Sequence, residues 1–100
     1  MVRPQKDPDL LKTIKNCIET GRYLDTRHVQ ERRRERKITR PEVLYVLTNG
    51  HREKKKDKFD EHYQAWNYAI KGKTIDRDEL RVIVSFDENG MLIITAIKLR

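Results

Sequence analysis

The chain has few of the residues that build disulfide networks, flexible linkers and large cores. Its 100 residues include one cysteine, four glycines and three prolines, and only 36% of them are hydrophobic. The single cysteine, Cys17, excludes an internal disulfide and suits a reducing compartment. We therefore expect one domain over residues 1–100 with a small core, its first six residues being flexible.

Long apolar runs and metal or nucleotide motifs are also absent. The longest apolar run, residues 91–97, is interrupted by Thr95 and is much shorter than the roughly 20 residues that span a bilayer. The histidines and Cys17 lack the spacing of metal ligands, and there is no glycine-rich phosphate loop. The first residues lack the pattern of a secretory signal. We expect a cytoplasmic protein that binds no membrane, metal or cofactor.

Positive charge, by contrast, is abundant. The chain has 23 Lys and Arg residues against 16 Asp and Glu residues, which gives a net charge of +7 at neutral pH. A basic protein gains affinity for RNA or DNA because neutralising backbone phosphates releases counterions. The alternative is that the charges only keep a small protein in solution.

Capping residues and apolar spacing predict three helices. Asp7 followed by Pro8 starts the first helix, which carries an apolar stripe over residues 10–18 and ends at Gly21. The other two helices begin after Asp25 or Thr26 and at the Thr39–Glu42 capping box, and the last of them ends at Gly50.

After Gly50 the spacing of apolar residues changes to the alternation that is typical of strands. It predicts strands over residues 62–71, 80–86 and 91–99, a hairpin turn at 87–90 and a lysine-rich edge strand within 51–59. Residues 22–25 and 72–79 are predicted connections. Helices followed by strands indicate an α+β fold, with the helices packed on one face of an antiparallel sheet.

Residues 26–39, T-R-H-V-Q-E-R-R-R-E-R-K-I-T, contain the strongest functional signal. His28, Arg32 and Arg36 are four residues apart, so a helix places them on one face. A guanidinium group can donate two parallel hydrogen bonds to one phosphate, and an imidazole exchanges a proton near neutral pH. We expect these three side chains to meet in a hollow that binds an anion.

Four segments together have the order and spacing of a known family. They are H-V-Q-E-R-R-R-E-R-K-I-T at 28–39, W-N-Y-A-I-K-G at 66–72, L-R-V-I-V-S-F at 80–86 and M-L-I-I-T-A-I at 91–97. Over residues 23–99 the chain resembles the small bacterial domain-of-unknown-function family 4258, which is similar to RelE-like and BrnT-like toxins and to the barnase, EndoU and colicin nucleases. The resemblance implies N-terminal helices on a four-stranded antiparallel sheet and metal-independent cleavage of RNA.

The resemblance also implies roles for single residues. The matched positions are His28, Arg32, Arg36, Gly72, Arg81 and Thr95, whereas Ala96 and Ile97 stand where relatives often have Val and Tyr. The implied catalytic residues are a proton-transferring His28, the phosphate-holding Arg32, Arg36 and Arg81, and Thr95 as a hydrogen-bond donor. RNA is then the expected partner, and a cognate antitoxin would hold the protein inactive.

Further RNA contacts are expected from basic and aromatic side chains, namely Arg33, Lys71, Trp66 and Tyr68. Tyr68 is also a candidate for the second proton-transferring group, which the sequence leaves open because His62 cannot be placed. Core packing is the alternative role for both aromatic residues.

Each basic feature has a structural alternative as well. His28 can hydrogen-bond a neighbouring carbonyl, the arginines can pair with Glu31 and Glu35, and Lys54–Lys56 can guard a sheet edge.

Three functions therefore remain open. They are a ribonuclease of the toxin type, a nucleic-acid-binding module without catalysis, and a small interaction protein. Convergence of His28 and Arg81 on one pocket would favour the enzyme. Arginines spread over a convex surface would favour simple binding. Internal pairing of Arg32 and Arg36 would favour the interaction protein.

Overall fold

The computed structural model describes residues 2–99, so Met1 and Arg100 of the predicted domain lie outside the described residues. The helices are α1 (Leu10–Thr20), α2 (Arg27–Arg36) and α3 (Arg40–Asn49), and a short 3-10 turn spans Lys54–Lys56. The strands are β1 (Tyr23–Asp25), β2 (His51–Arg52), β3 (Lys58–Asp60), β4 (Ala65–Lys73), β5 (Glu79–Asp87) and β6 (Gly90–Lys98). Within residues 2–99, no helix combines the length and the apolar character needed to cross a membrane.

The strands form one mixed sheet in the order β1-β6-β5-β4-β2, and β3 also pairs with β4. The long strands β4, β5 and β6 are antiparallel, whereas β1 runs parallel to β6. The predicted α+β class is confirmed, although the sheet has six strands rather than four. β1 lies where a connection was predicted, and β2 and β3 divide the predicted edge strand. Strands of two or three residues are too short to show an alternation.

The helix boundaries largely follow the capping residues. The side chain of Thr26 caps α2, and the Thr39–Glu42 capping box is complete. Gly21 ends α1 in the left-handed conformation, with φ at 72°. α1 begins later than predicted because Oδ1 of Asp7 accepts a hydrogen bond from the N–H of Asp9 at 2.8 Å, which forms a turn before the helix.

The core lies between the helices and one face of the sheet. Its largest fully buried side chains include Leu10, Ile14, Val29, Leu47, Ile70, Leu80, Met91 and Ile93. Alternate strand residues point to the other face, which we call the outer face. The register places on it Asn67, Ala69 and Lys71 of β4, Arg81, Ile83 and Ser85 of β5, and Leu92, Thr95 and Ile97 of β6.

A bulge in β6 fixes the start of α2. The register between β5 and β6 shifts between Ile83 and Val84, which leaves Ile94 as an extra residue. Oγ1 of Thr26 donates a hydrogen bond to the carbonyl of Ile93 at 2.9 Å. The first turn of α2 is therefore anchored beside the bulge.

Both edges of the sheet are protected against association with another strand. β1 pairs with only the first part of β6, and α2 lies beside the rest of that strand. There Nη1 of Arg36 donates a hydrogen bond to the carbonyl of Ala96 at 2.7 Å. At the opposite edge β2 and β3 are short, and Lys54–Lys56 separates them.

The N-terminal segment, whose first six residues we expect to be flexible, crosses β4. Nε1 of Trp66 donates a hydrogen bond to the carbonyl of Pro4 at 2.7 Å. The N–H of Asp7 donates to the hydroxyl of Tyr68 at 2.9 Å. These contacts cover the aromatic residues on the core side of β4.

Candidate functional site

His28 lies at the rim of a groove on the outer face of the sheet. It is on the first turn of α2, and its side chain is exposed. The groove has a volume of about 510 Å³ and lies between the start of α2, the turn that joins β3 to β4, and the ends of β4, β5 and β6. Its polar lining includes His28, Asp60, Tyr63, Asn67, Ser85 and Asp87.

The floor of this groove, which we call the His28 groove, is apolar. Ala65, Leu92 and Ile94 form the floor, and Ile94 is the extra residue of the bulge. A concave apolar surface with a few polar groups at its rim is the usual form of a small-molecule or cofactor site.

Two carboxylates share the groove with His28. Oδ1 of Asp60 accepts the N–H groups of His62 and Tyr63 at 2.9 and 3.1 Å, and Oδ1 of Asp87 accepts the N–H of Asn89 at 2.8 Å. Each carboxylate uses this one oxygen to close a turn. Among residues 2–99, Oδ2 of Asp60 and Oδ2 of Asp87 form no hydrogen bond, so both oxygens can accept a proton from a ligand.

Arg32 and Arg36 follow His28 along α2, but each has a partner within the protein. Nη1 of Arg32 pairs with Oε2 of Glu35 at 2.8 Å, and both side chains are more than one-third exposed. Arg36 donates to the carbonyl of Ala96 and holds α2 against β6. The Arg32–Glu35 pair is weak because solvent screens it. The Arg36 side chain instead satisfies the Ala96 carbonyl of β6, for which residues 2–99 provide no neighbouring strand on the side of α2.

Arg81 lies on the outer face but does not line the His28 groove, so the two residues do not converge on one pocket. Its Nε donates to Oε1 of Glu53 at 2.6 Å and its Nη2 donates to Oε2 at 3.1 Å. Arg81 and Ser85 are four residues apart on β5, which separates them by about 13 Å along the strand. Lys71 is the strand partner of Arg81 and pairs with Glu79 at 3.4 Å.

The Arg81–Glu53 pair shifts both pKa values. The hydrogen bond from Arg81 is the main reason that the pKa of Glu53 is below its ordinary value, and burial opposes it. The positive charges of Arg81, Lys71 and Lys56 lower the pKa of Glu53 further. The hydrogen bond to Glu53 in turn raises the pKa of Arg81, so both groups stay charged across the physiological range.

Arg33 and Thr95 also lie away from the His28 groove. Arg33 pairs with Asp25 at 3.1 Å in a separate notch of about 380 Å³, where Arg40 contacts the same carboxylate at 3.4 Å. Thr95 pairs with Ile83 across the strands and lies just beyond the groove on the outer face.

Trp66 and Tyr68 lie on the core side of β4, away from the His28 groove. Tyr68 is 5% exposed, and the guanidinium of Arg52 lies over its ring at 5.2 Å. Trp66 contacts the ring of Phe59 edge-on at 5.2 Å, and Nζ of Lys6 lies 4.6 Å from the centre of its indole ring. A cation of the protein therefore lies over each of the two rings.

The structure brings His28 together with residues that the sequence analysis did not select, namely Asp60, Tyr63, Asn67, Ser85 and Asp87. The hairpin turn at residues 87–90 was the one sequence signal that placed one of them, Asp87, at a strand end. Nothing in the spacing shows that the β3–β4 turn folds back towards α2. Within residues 2–99, no three His, Cys, Asp or Glu side chains are grouped closely enough to hold a metal ion.

A family model described as "Domain of unknown function (DUF4258)" matches residues 26–98. The chain belongs to this family. The matched segment begins at the cap of α2 and ends with β6, so the DUF4258 region contains every element that lines the His28 groove. α1 precedes it and contributes Leu10, Ile14 and Cys17 to the core. No curated protein and no solved structure gives a significant match to the chain.

Proposed function

We propose that this protein cleaves RNA without a metal ion at the His28 groove, as a ribonuclease related to the RelE-like and BrnT-like toxins. One observation carries the proposal. The exposed imidazole of His28 shares a concave site with the carboxylates of Asp60 and Asp87, each of which has a free oxygen. An imidazole and a carboxylate can serve as the general acid and the general base that this cleavage of RNA requires.

The reaction needs no other reagent. A carboxylate of Asp60 or Asp87 takes the proton of a ribose 2′-hydroxyl, and the 2′-oxygen forms a bond to phosphorus. The bond from phosphorus to the 5′-oxygen breaks, and the imidazolium of His28 protonates that oxygen as it leaves. The products are a 2′,3′-cyclic phosphate and a 5′-hydroxyl.

The negative charge that develops on the phosphoryl oxygens needs cations nearby. Arg27 adjoins His28 and forms no ion pair among residues 2–99, and Arg32 follows one turn later. The Arg32–Glu35 pair is exposed and contributes about 0.3–0.5 kcal/mol, so a phosphate can displace it at little cost. Arg36 and Arg81 instead hold the scaffold through the carbonyl of Ala96 and the carboxylate of Glu53.

A toxin of this kind would be held inactive by a cognate antitoxin that covers the groove and the basic side of α2. A second candidate function is a small interaction protein without catalysis. The observation that favours it is that Arg32, Arg36 and Arg81 each have a partner within the protein.

The test is cleavage of a mixed-sequence RNA in excess chelator by the wild type, His28→Ala and His51→Ala. His51 is an exposed histidine on β2 and serves as the matched control. We expect the wild type and His51→Ala to release 2′,3′-cyclic phosphate ends, and His28→Ala to lose at least about 100-fold in rate. Equal rates for His28→Ala and the wild type, or no cleavage of any RNA tested, would overturn the proposal.

A further inference from the structure

We infer that the His28 groove binds one unpaired nucleobase, so the preferred ligand is single-stranded RNA. The inference rests on the proposed function only in taking RNA as the ligand. It concerns the part of the groove that the acid–base chemistry does not use, which is the apolar floor together with Tyr63, Asn67 and Ser85.

The floor and Tyr63 suit the flat face of a base. Ala65, Leu92 and Ile94 provide an apolar surface, and the Tyr63 side chain at the rim is 75% exposed. The ring of His62 packs edge-on against Tyr63, with ring centres 4.6 Å apart and planes at 87°. An exposed aromatic ring restrained by a neighbour is the usual platform on which unpaired bases stack.

Two polar side chains line the groove and can contact the edge of a base, Asn67 and Ser85, of which Ser85 is only 6% exposed. The carboxamide of Asn67 forms no hydrogen bond among residues 2–99, although the residue is partly buried. It offers two donors and an acceptor. Oγ of Ser85 donates to the carbonyl of Trp66 at 2.9 Å, which leaves its lone pairs as acceptors. A base edge with a donor beside an acceptor would pair with both side chains. The donor would bond to Oγ of Ser85, and the acceptor would receive an N–H of Asn67.

The charges around the groove agree with a nucleotide rather than a neutral ligand. His28 stands at the α2 side of the groove and Arg27 is next to it in the chain, where the phosphate next to the inserted base would lie. The opposite side carries Asp60 and Asp87, close to the position of the ribose 2′-hydroxyl in the proposed reaction. A base inside a duplex is stacked and paired, so it cannot enter the groove without the cost of unstacking.

The experiment measures equilibrium binding of a 2′-O-methyl RNA of about eight nucleotides, which lacks the reactive hydroxyl and cannot be cleaved through it. The strand is offered alone and as a duplex. The wild type is compared with Tyr63→Ala and Asn67→Ala, and with Tyr45→Ala as the control, because Tyr45 is an exposed tyrosine on α3 that does not line the groove. Circular dichroism checks that each variant is folded.

We expect the single strand to bind at least about 10-fold more tightly than the duplex, and Tyr63→Ala to weaken its binding by about 10-fold. Four 2′-O-methyl strands of a single base each, A, C, G or U, are compared as well. Asn67→Ala should change the order of their affinities, and Tyr45→Ala should bind like the wild type. Equal affinity for single strand and duplex, or wild-type affinity of Tyr63→Ala, would overturn the inference. Binding of the single strand without cleavage of ordinary RNA would refute the proposed ribonuclease and leave the base site standing.

Discussion

The guanidinium of Arg81 and the carboxylate of Glu53 form a two-point ion pair that joins β5 to the segment after β2. Both side chains are mostly buried, with 21% and 17% exposed. The pair helps to fix the position of the chain between β2 and β3, together with the ion pair of Arg52 with Asp57 at 3.0 Å. Arg81 therefore acts in this structure as a tie between segments.

The stability of the fold should depend on this pair in a pH-dependent way. The pKa of Glu53 is lowered in the folded state, so its contribution is complete above the unfolded value of about 4.3 and is lost as the pH falls through the folded value. We expect Glu53→Gln to destabilise the protein by about 1–3 kcal/mol at neutral pH. The difference from the wild type should shrink below about pH 4. Urea unfolding at several pH values measures it, and a difference that is constant with pH would contradict this assignment.

Arg36 should contribute to stability, whereas its neighbour Arg34 should not. Arg36→Ala removes a charged donor from the carbonyl of Ala96 and should cost about 1.5–3 kcal/mol. Arg34→Ala removes an exposed charge from the same helix and should change stability by less than about 0.5 kcal/mol. Chemical unfolding compares the two variants. Equal stabilities would mean that the Arg36 contact does not hold α2 against β6.

Gly90 and Gly21 should differ in how they tolerate a methyl group, although both have positive φ values. A Cβ on Gly90 would lie 2.2 Å from the carbonyl oxygen of Arg22, which also accepts the N–H of Met91 and cannot move freely. Gly90→Ala should cost about 3 kcal/mol or more, and Gly21→Ala about 1 kcal/mol because its Cβ meets no atom within 4 Å. Thermal unfolding ranks the two, and the reverse order would be inconsistent with this packing.

The salt dependence of RNA binding should identify the residues that contact phosphate. Each lost phosphate contact lowers the slope of log affinity against log salt by about 0.7 for a single strand. We expect this reduction for Arg27→Gln and for Arg32→Gln. Lys12→Gln, an exposed change on α1, should leave the slope unchanged. Slopes that are the same for all three variants would place the RNA elsewhere.

Local signals in the sequence were enough for the fold class and most helix ends. Thr26, Gly21 and the Thr39–Glu42 box act over a few residues, so their effect can be derived without knowing the tertiary structure. β1 could not be predicted from local signals. It has only three residues, and it is a strand because it pairs with Met91–Ile93, which lie far along the chain.

The site was harder to predict than the fold for the same reason. His28 was identified from its four-residue spacing to Arg32 and Arg36. The residues that share the groove with His28 are set by the bulge at Ile94 and by the turn after β3. Neither feature can be recognised from the spacing of apolar residues in the sequence. Arg81 matched the family pattern, but its identity alone could not show that Glu53 lies within hydrogen-bond distance.

The most direct test is an NMR titration of the protein with an uncleavable 2′-O-methyl RNA, which shows which residues the RNA contacts. We expect chemical-shift changes at the imidazole of His28, the ring of Tyr63 and the carboxamide of Asn67, and no change at the imidazole of His51. Changes confined to other surfaces, such as Lys54–Lys56, or no changes with saturating RNA, would contradict RNA binding at the His28 groove.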